Sequence, residues 1–250
     1  MLKKKIFGDT LKEQLLASAN DRLYKLLFRR ENVRGTMIKA TKMINEMRSN
    51  HDLGIIETLA LGHAYIACGL LSADLKGSER IGIHIECSGP IKGLNIESNA
   101  YNEVRGYLKN VPIPVDKPLN DLNLSPFFGA GFLTVTRNIE DSKTPFSGTV
   151  ILKYGNIAED MVYYYSTSEQ IPTSFILSIH FDRDGNVTGA GGLFLQALPG
   201  AYEKIILSLE KIVKKFPSIG AAFSSGITPG EILEKEFKDY SPEILENSRV

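Results

Sequence analysis

"GAGGLFLQALPG", residues 189–200, places three glycines within four residues and then runs into Leu193, Phe194, Leu195 and Leu198. As a phosphate cradle it fails both common templates. A dinucleotide fingerprint, G-x-G-x-x-G, needs glycine where Phe194 stands, and a P-loop needs a Gly-Lys-Ser/Thr that does not follow. The segment also leads into a strand rather than a helix N-terminus, so no oriented N–H groups are supplied to an anion. Glycine inside a strand instead signals a bulge, a bend or the close approach of another backbone. The stretch therefore reads as a sheet strand, "VTGAGGLFLQAL" (187–198). The Asp-Gly turn in "DRDGN" (182–186) joins it to a preceding strand on which Phe175, Leu177, Ile179 and Phe181 alternate.

Upstream the same two-residue period recurs. Ile81, Ile83, Ile85 and Cys87 alternate strictly, and "SGP" (88–90) breaks the run. "IKGLNIES" (91–98) follows as a hairpin partner, then "VRGYLKN" (104–110) as a short strand, then "GFLTVTR" (131–137) and "SGTVILKY" (147–154). Helical spacing marks three other stretches. Residues 36–49 carry Met37, Ala40, Ile44 and Met47, the segment Leu53–Leu75 is mainly apolar, and residues 157–170 carry Met161, Tyr164 and Tyr165. The helix over 157–170 ends before Pro172, because a residue preceding proline avoids the helical region.

After Pro199-Gly200 the pattern changes. Apolar residues at 202, 205, 206, 209, 212, 213 and 216 form one helical stripe that Pro217 stops. "TPGE" (228–231) opens a further helix, with Thr228 as cap, Pro229 in the first turn and Glu231 three residues on. The fold class expected is α+β: a mixed body of β-sheets and packed helices over 1–198, then an all-helical linker region over 199–250.

Bulk properties narrow the function. With 29 basic and 29 acidic residues the formal net charge is zero, which attracts neither nucleic acid nor an anionic membrane as a whole. Lys3-Lys4-Lys5 is a short solvated cluster with no apolar run behind it, so no secretory leader is read. "TLALGHAYIACGLLSA" (58–73) has 16 uncharged residues, short of the roughly 20 a spanning helix needs, and reads as a buried core helix. A cytoplasmic protein is expected.

The chain carries little catalytic signature. His63 and Cys68 lie five apart on a helix and His84 and Cys87 three apart on a strand, so neither pair shares a face, and no metal site is expected. No G-x-S-x-G elbow occurs, and no histidine accompanies Ser168-Glu169-Gln170. Arg34 and Arg105, both in "VRG", read as strand-end caps, with a paired anion site as the alternative.

Taken in order, these segments resemble a known family. "LLSADLK" (70–76), "IECSGPIKGL" (85–94), "VRGYLKN", "GAGFLTVT" (129–136), "SEQIPT" (168–173) and "GAGGLFLQALPGA" (189–201) are similar to the redox-regulated 33 kDa chaperonin family, heat shock protein 33. The likeness spans residues 21–201 and, more loosely, the linker. Its most specific motif residues are Ser168, Glu169, Gln170, Gly191, Gly192 and Gln196.

The resemblance implies a stress-response holdase, an ATP-independent chaperone rather than an enzyme. It implies unfolded or partly folded client proteins as partners and a homodimer able to swap helices. Neither nucleic acid nor membrane is implied. Client binding and linker docking fall on Tyr202, Ile205, Ile206, Leu209, Ile212, Val213 and Phe216. The family's zinc is held by a C-terminal redox module with C-x-C and C-x-x-C cysteines. This sequence stops at Val250 short of them, and neither Cys68 nor Cys87 corresponds to a ligand. The expectation is therefore no cofactor and no zinc redox domain in this chain. Two other readings stand beside the holdase: a small-molecule enzyme with a site near Glu169, Gln170 and Gln196, and an interaction module for a single partner.

Overall fold

The computed structural model describes residues 21–115, 121–140, 142 and 144–250. Lys3-Lys4-Lys5 and the rest of the first 20 residues lie outside them. Among the described residues the chain forms ten strands, seven α-helices and one π-helical turn.

Two five-stranded antiparallel sheets form the frame. The first takes strands from both ends of the chain: β1 (Arg22–Phe28), β2 (Val33–Lys39), β8 (Thr173–Phe181), β9 (Val187–Ala197) and β10 (Glu243–Arg249), in the order β10-β1-β2-β9-β8. The second is contiguous in sequence: β3 (Arg80–Cys87), β4 (Gly93–Asn99), β5 (Val104–Leu108), β6 (Gly131–Asn138) and β7 (Phe146–Ile151), in the order β5-β4-β3-β6-β7.

The helices α1 (Thr41–His51) and α2 (Ile55–Ser72) follow β2. α2 packs against strands of both sheets and is the axis of the main core. It is long and apolar enough to cross a membrane, yet 89% of its apolar window is buried inside this fold, as expected of a core helix. α3 (Ser125–Phe128) is a single turn. α4 (Ile157–Tyr164) starts on the Asn156 side chain, which accepts from the N–H groups of Ala158 and Glu159. The chain then passes through a π-turn, Tyr165–Glu169, and ends with Gln170 in the left-handed region at φ 56°. The C-terminal helices are α5 (Glu203–Lys214), α6 (Ile219–Ser224) and α7 (Pro229–Glu236). α7 opens on the expected Thr228–Glu231 capping box.

The first sheet is apolar on both faces. Leu23, Ile38, Ala190 and Phe194 join α2 in the main core, whereas Leu26, Phe28, Val33, Met37, Leu193 and Leu195 point the other way. A side-chain period of two sends neighbours to opposite faces, so one strand serves both cores. The glycines of β9 make room on each side. A methyl group on Gly189 would collide with the carbonyl oxygen of Gly220 in α6, and one on Gly191 with the Phe223 ring. On the opposite face, a Cβ on Gly192 would lie 2.7 Å from Ile66 Cγ2 of α2. Close approach of neighbouring elements is the role of this glycine run, as its strand context implies.

Three expectations are corrected. The helix expected over 36–49 begins at Thr41, because Thr36–Lys39 belong to β2 and pair with both β1 and β9. The linker region is not all helical: Glu243–Arg249 forms β10 and pairs antiparallel with β1. The unpaired edge of β1 accepts the last residues of the chain, and main-chain hydrogen bonding outweighs their weak strand pattern. Arg34 and Arg105 do stand near the starts of β2 and β5, second in each, but their side-chain bonds run to Gln196 and Glu97 on neighbouring strands rather than capping the strand-end backbone.

A candidate client-binding surface

The second face of the first sheet is a hydrophobic floor made by Leu26 and Phe28 of β1, Val33 and Met37 of β2, and Leu193 and Leu195 of β9. Three short helices cover it. Leu209 of α5, Ile219 and Phe223 of α6, and Ile232 and Leu233 of α7, followed by Phe237, complete a core separate from the main one. Phe237 stands edge-on to Phe28, with ring centroids 5.3 Å apart, and tilts against Phe216 at 5.6 Å.

The stripe residues do not dock equally. Leu209 is buried, whereas Ile205, Ile212, Val213 and Phe216 are half-buried and lean on the edge of this second core. Ile206 borders a small crevice with Val33, Leu195 and Leu209. Tyr202 is 73% exposed and takes no part in the docking, and Leu207 is exposed on the far side of the helix. The anchors that the stripe alone did not point to are Ile219, Phe223, Ile232, Leu233 and Phe237. Their cue was present in the caps at Ser218 and Thr228, each opening a short helix whose apolar residues recur three to four apart. Beside α5 lies a groove of about 690 Å³, lined by Val162 and Tyr163 of α4, Phe175 and Ile176 of β8, and Val213 of α5. The Lys153 ammonium sits 5.0 Å from the Tyr163 ring and 5.3 Å from that of Tyr154.

The first sheet thus has a second apolar face, which three short helices cover. A family description reading "Hsp33 protein" matches residues 21–250. The chain belongs to the Hsp33 family. It is 35% identical over 220 residues to the 33 kDa chaperonin of Desulforamulus reducens, covering 88% of this chain and 74% of that one. The 33 kDa chaperonin of Ruminiclostridium cellulolyticum is 34% identical, with 90% and 77% covered. The crystal structure of the 33 kDa chaperonin, or heat shock protein 33 homolog, from Thermotoga maritima superposes with a TM-score of 0.81 at 32% identity, over 92% of this chain and 79% of that one. This Hsp33 chain is a molecular chaperone, and its relatives' names point to a role other than catalysis.

Two of the motif residues, Glu169 and Gln196, make side-chain hydrogen bonds that tie elements of the fold together. The Tyr164 hydroxyl at the end of α4 donates to Glu169 Oε1 of the π-turn at 2.8 Å. Burial, with Glu169 beside it, pushes the Tyr164 phenol well above its ordinary value. Arg137 of β6 donates to the Tyr165 hydroxyl at 3.1 Å, which ties the second sheet to the turn, and burial pushes Tyr165 up to about 12. Ser168 lies in the same turn, against Gly148 of β7. Gln196 belongs to another network: its Oε1 accepts from Arg34 Nε at 2.6 Å, and Arg34 also pairs with Asp74 at 3.0 Å. The crevice that Gln196 borders, about 20 Å³, is lined by neither Glu169 nor Gln170, so the small-molecule site considered for these three residues does not assemble there. Arg105 pairs with Glu97 at 2.9 Å on the second sheet, leaving Arg34 and Arg105 in separate networks rather than one anion site.

The family's zinc finds no fit among the described cysteines. Cys68 is fully buried, its thiol lies 3.6 Å from the Ile81 carbonyl, and burial pushes its pKa strongly up. Burial also raises the half-buried Cys87. Zinc takes four ligands, and among the described residues neither thiol stands in a group of three or more His, Cys, Asp or Glu side chains.

Proposed function

We propose that this Hsp33 chain is an ATP-independent holdase that binds unfolding proteins in the cytoplasm, working as a homodimer, with no catalytic activity and no cofactor held by these residues. The observation that carries the reading is the second core. It is a ready apolar face of a rigid sheet, covered by three short helices of which α5 buries only Leu209 fully. Fully burying a large aliphatic side chain contributes about 1.5–3 kcal/mol, and half-burial correspondingly less. Ordering the linker residues offsets much of that gain. Non-directional apolar burial demands no particular client sequence, which suits a holdase rather than a module for one folded partner. Redox control of the kind the family resemblance implies would act by loosening this cover.

The test is suppression of light scattering by a heat-unfolding client under reducing conditions, without ATP. Suppression near one chain per client supports the holdase. A folded chain that leaves aggregation unchanged, even after the second core is opened by substitution, overturns it.

A further inference from the structure

The edge of the first sheet is held in an unusual way. β10 pairs with β1 from Arg22↔Arg249 to Leu27↔Glu243, with a register shift between Lys25 and Leu26 that leaves Leu245 bulged out. Nearly every β10 side chain is exposed, including Ile244 and Leu245, the latter 57% exposed. Its side-chain attachments are polar. Glu243 pairs with Arg29 at 2.8 Å, Glu246 with Lys25 at 2.7 Å, and Asn247 accepts from Arg22 at 2.8 Å. Asn102 Nδ2 donates to Ser248 Oγ at 2.9 Å and to the Arg249 carbonyl at 3.1 Å. Val250, just beyond β10, leans on the main core, so the C-terminal end is anchored there and by the buried Asn102. From Glu243 to Asn247 the strand is held only by main-chain bonds and exposed polar pairs, with a bulge in the middle, and this part is a weakly registered occupant.

We propose that the outer edge of β1, residues 22–28, is a strand-addition site for an extended segment of an unfolded client, and that β10 occupies it as an internal stand-in. The inference rests on the holdase reading and adds the place and chemistry of recognition. β1 offers its outward N–H and C=O groups, the common currency of every polypeptide, so the site reads backbone rather than side chains. Only a chain with unpaired backbone can take such an edge, which selects unfolded over folded protein. Arg22, Lys25 and Arg29 line it, so extended segments with acidic residues near their ends and centre fit best, as Glu243 and Glu246 do in β10.

The test is hydrogen exchange read by mass spectrometry, with and without reduced, carboxymethylated α-lactalbumin as a permanently unfolded probe. With the probe bound, residues 243–249 are expected to exchange at least tenfold faster while residues 22–28 keep their protection. A bound probe with β10 still protected, or with β1 and β10 both opened, overturns the proposal and leaves the holdase reading intact. A probe that does not bind overturns the holdase reading, and this inference with it. Independently, Lys25→Cys with Glu246→Cys, in a Cys87→Ser background, closes the cross-strand pair once a short bis-maleimide is added, each thiol adding across one maleimide double bond. The linked form is expected to bind the probe at least fivefold more weakly than the same variant unlinked, and equal binding would sink the idea.

Discussion

At Gly189 one hydrogen atom decides whether α6 reaches the sheet. A methyl group there would press on the Gly220 carbonyl, which is backbone and cannot rotate away. Gly189→Ala is therefore expected to destabilise the protein by about 1–3 kcal/mol in urea unfolding, with increased binding of a hydrophobic dye. Unchanged stability would show that the glycine is not needed for close approach. Asp21 makes a different prediction. Its Oδ2 accepts from the Met43 N–H at 2.7 Å near the start of α1, while its Oδ1 is buried without a partner among the described residues. Burial pushes this carboxyl up to about 6, against the pull of the Met43 and Lys42 N–H groups and of nearby lysines. The folded state thus binds its proton more tightly than the unfolded chain does. That stabilisation is fully present below the ordinary value of 3.8 and is lost as pH rises through about 6. Stability should fall by roughly 1–3 kcal/mol across this window, and Asp21→Asn should flatten that part of the curve. An equally steep curve in the variant would assign the slope elsewhere.

Among the elements, α5 is the one whose docking is most open to test. Leu209→Asp together with Val213→Asp places two carboxylates against the second core, where an unpaired charge is costly. The helix should undock and dye fluorescence should rise, while the thermal transition of the main core stays in place. An unchanged dye signal would remove α5 from the cover of the apolar face. The same element was legible in sequence, because its stripe repeats at the helical period without interruption. The strands β1, β2 and β10 were not. "RLYKLLF" and "VRGTMIK" carry apolar groups on both faces, which erases the alternation that marks a half-buried strand. Met37 and Ala40 also stand three apart, so the end of β2 mimics the start of α1. β10 buries so little that no period is written into it, and its place follows from the open edge of β1. The candidate site was half legible for the same reason. Leu209 announced itself in the stripe, whereas Phe28, Met37 and Phe237 become a surface only when chain segments far apart are brought together.

Across the whole molecule, two cores of unequal depth imply two grades of stability. The main core wraps α2 on several sides, while the second depends on short helices that bury one to three side chains each. Native-state hydrogen exchange should rank α2, β3 and β4 slowest, with α5 and β10 opening at far lower free energy. A single rate class throughout would mean that the cover and the body unfold as one unit.

The strand order also bears on how the chain is made. The second sheet draws all its strands from residues 80–151 and can close while much of the polypeptide is still on the ribosome. The first cannot: Arg34 of β2 waits for Gln196, 162 positions downstream, and loops of that span close late. Until β9 emerges, the β1–β2 hairpin carries two apolar faces and a free edge into its surroundings. A nascent chaperone of this design is, for that interval, itself a client.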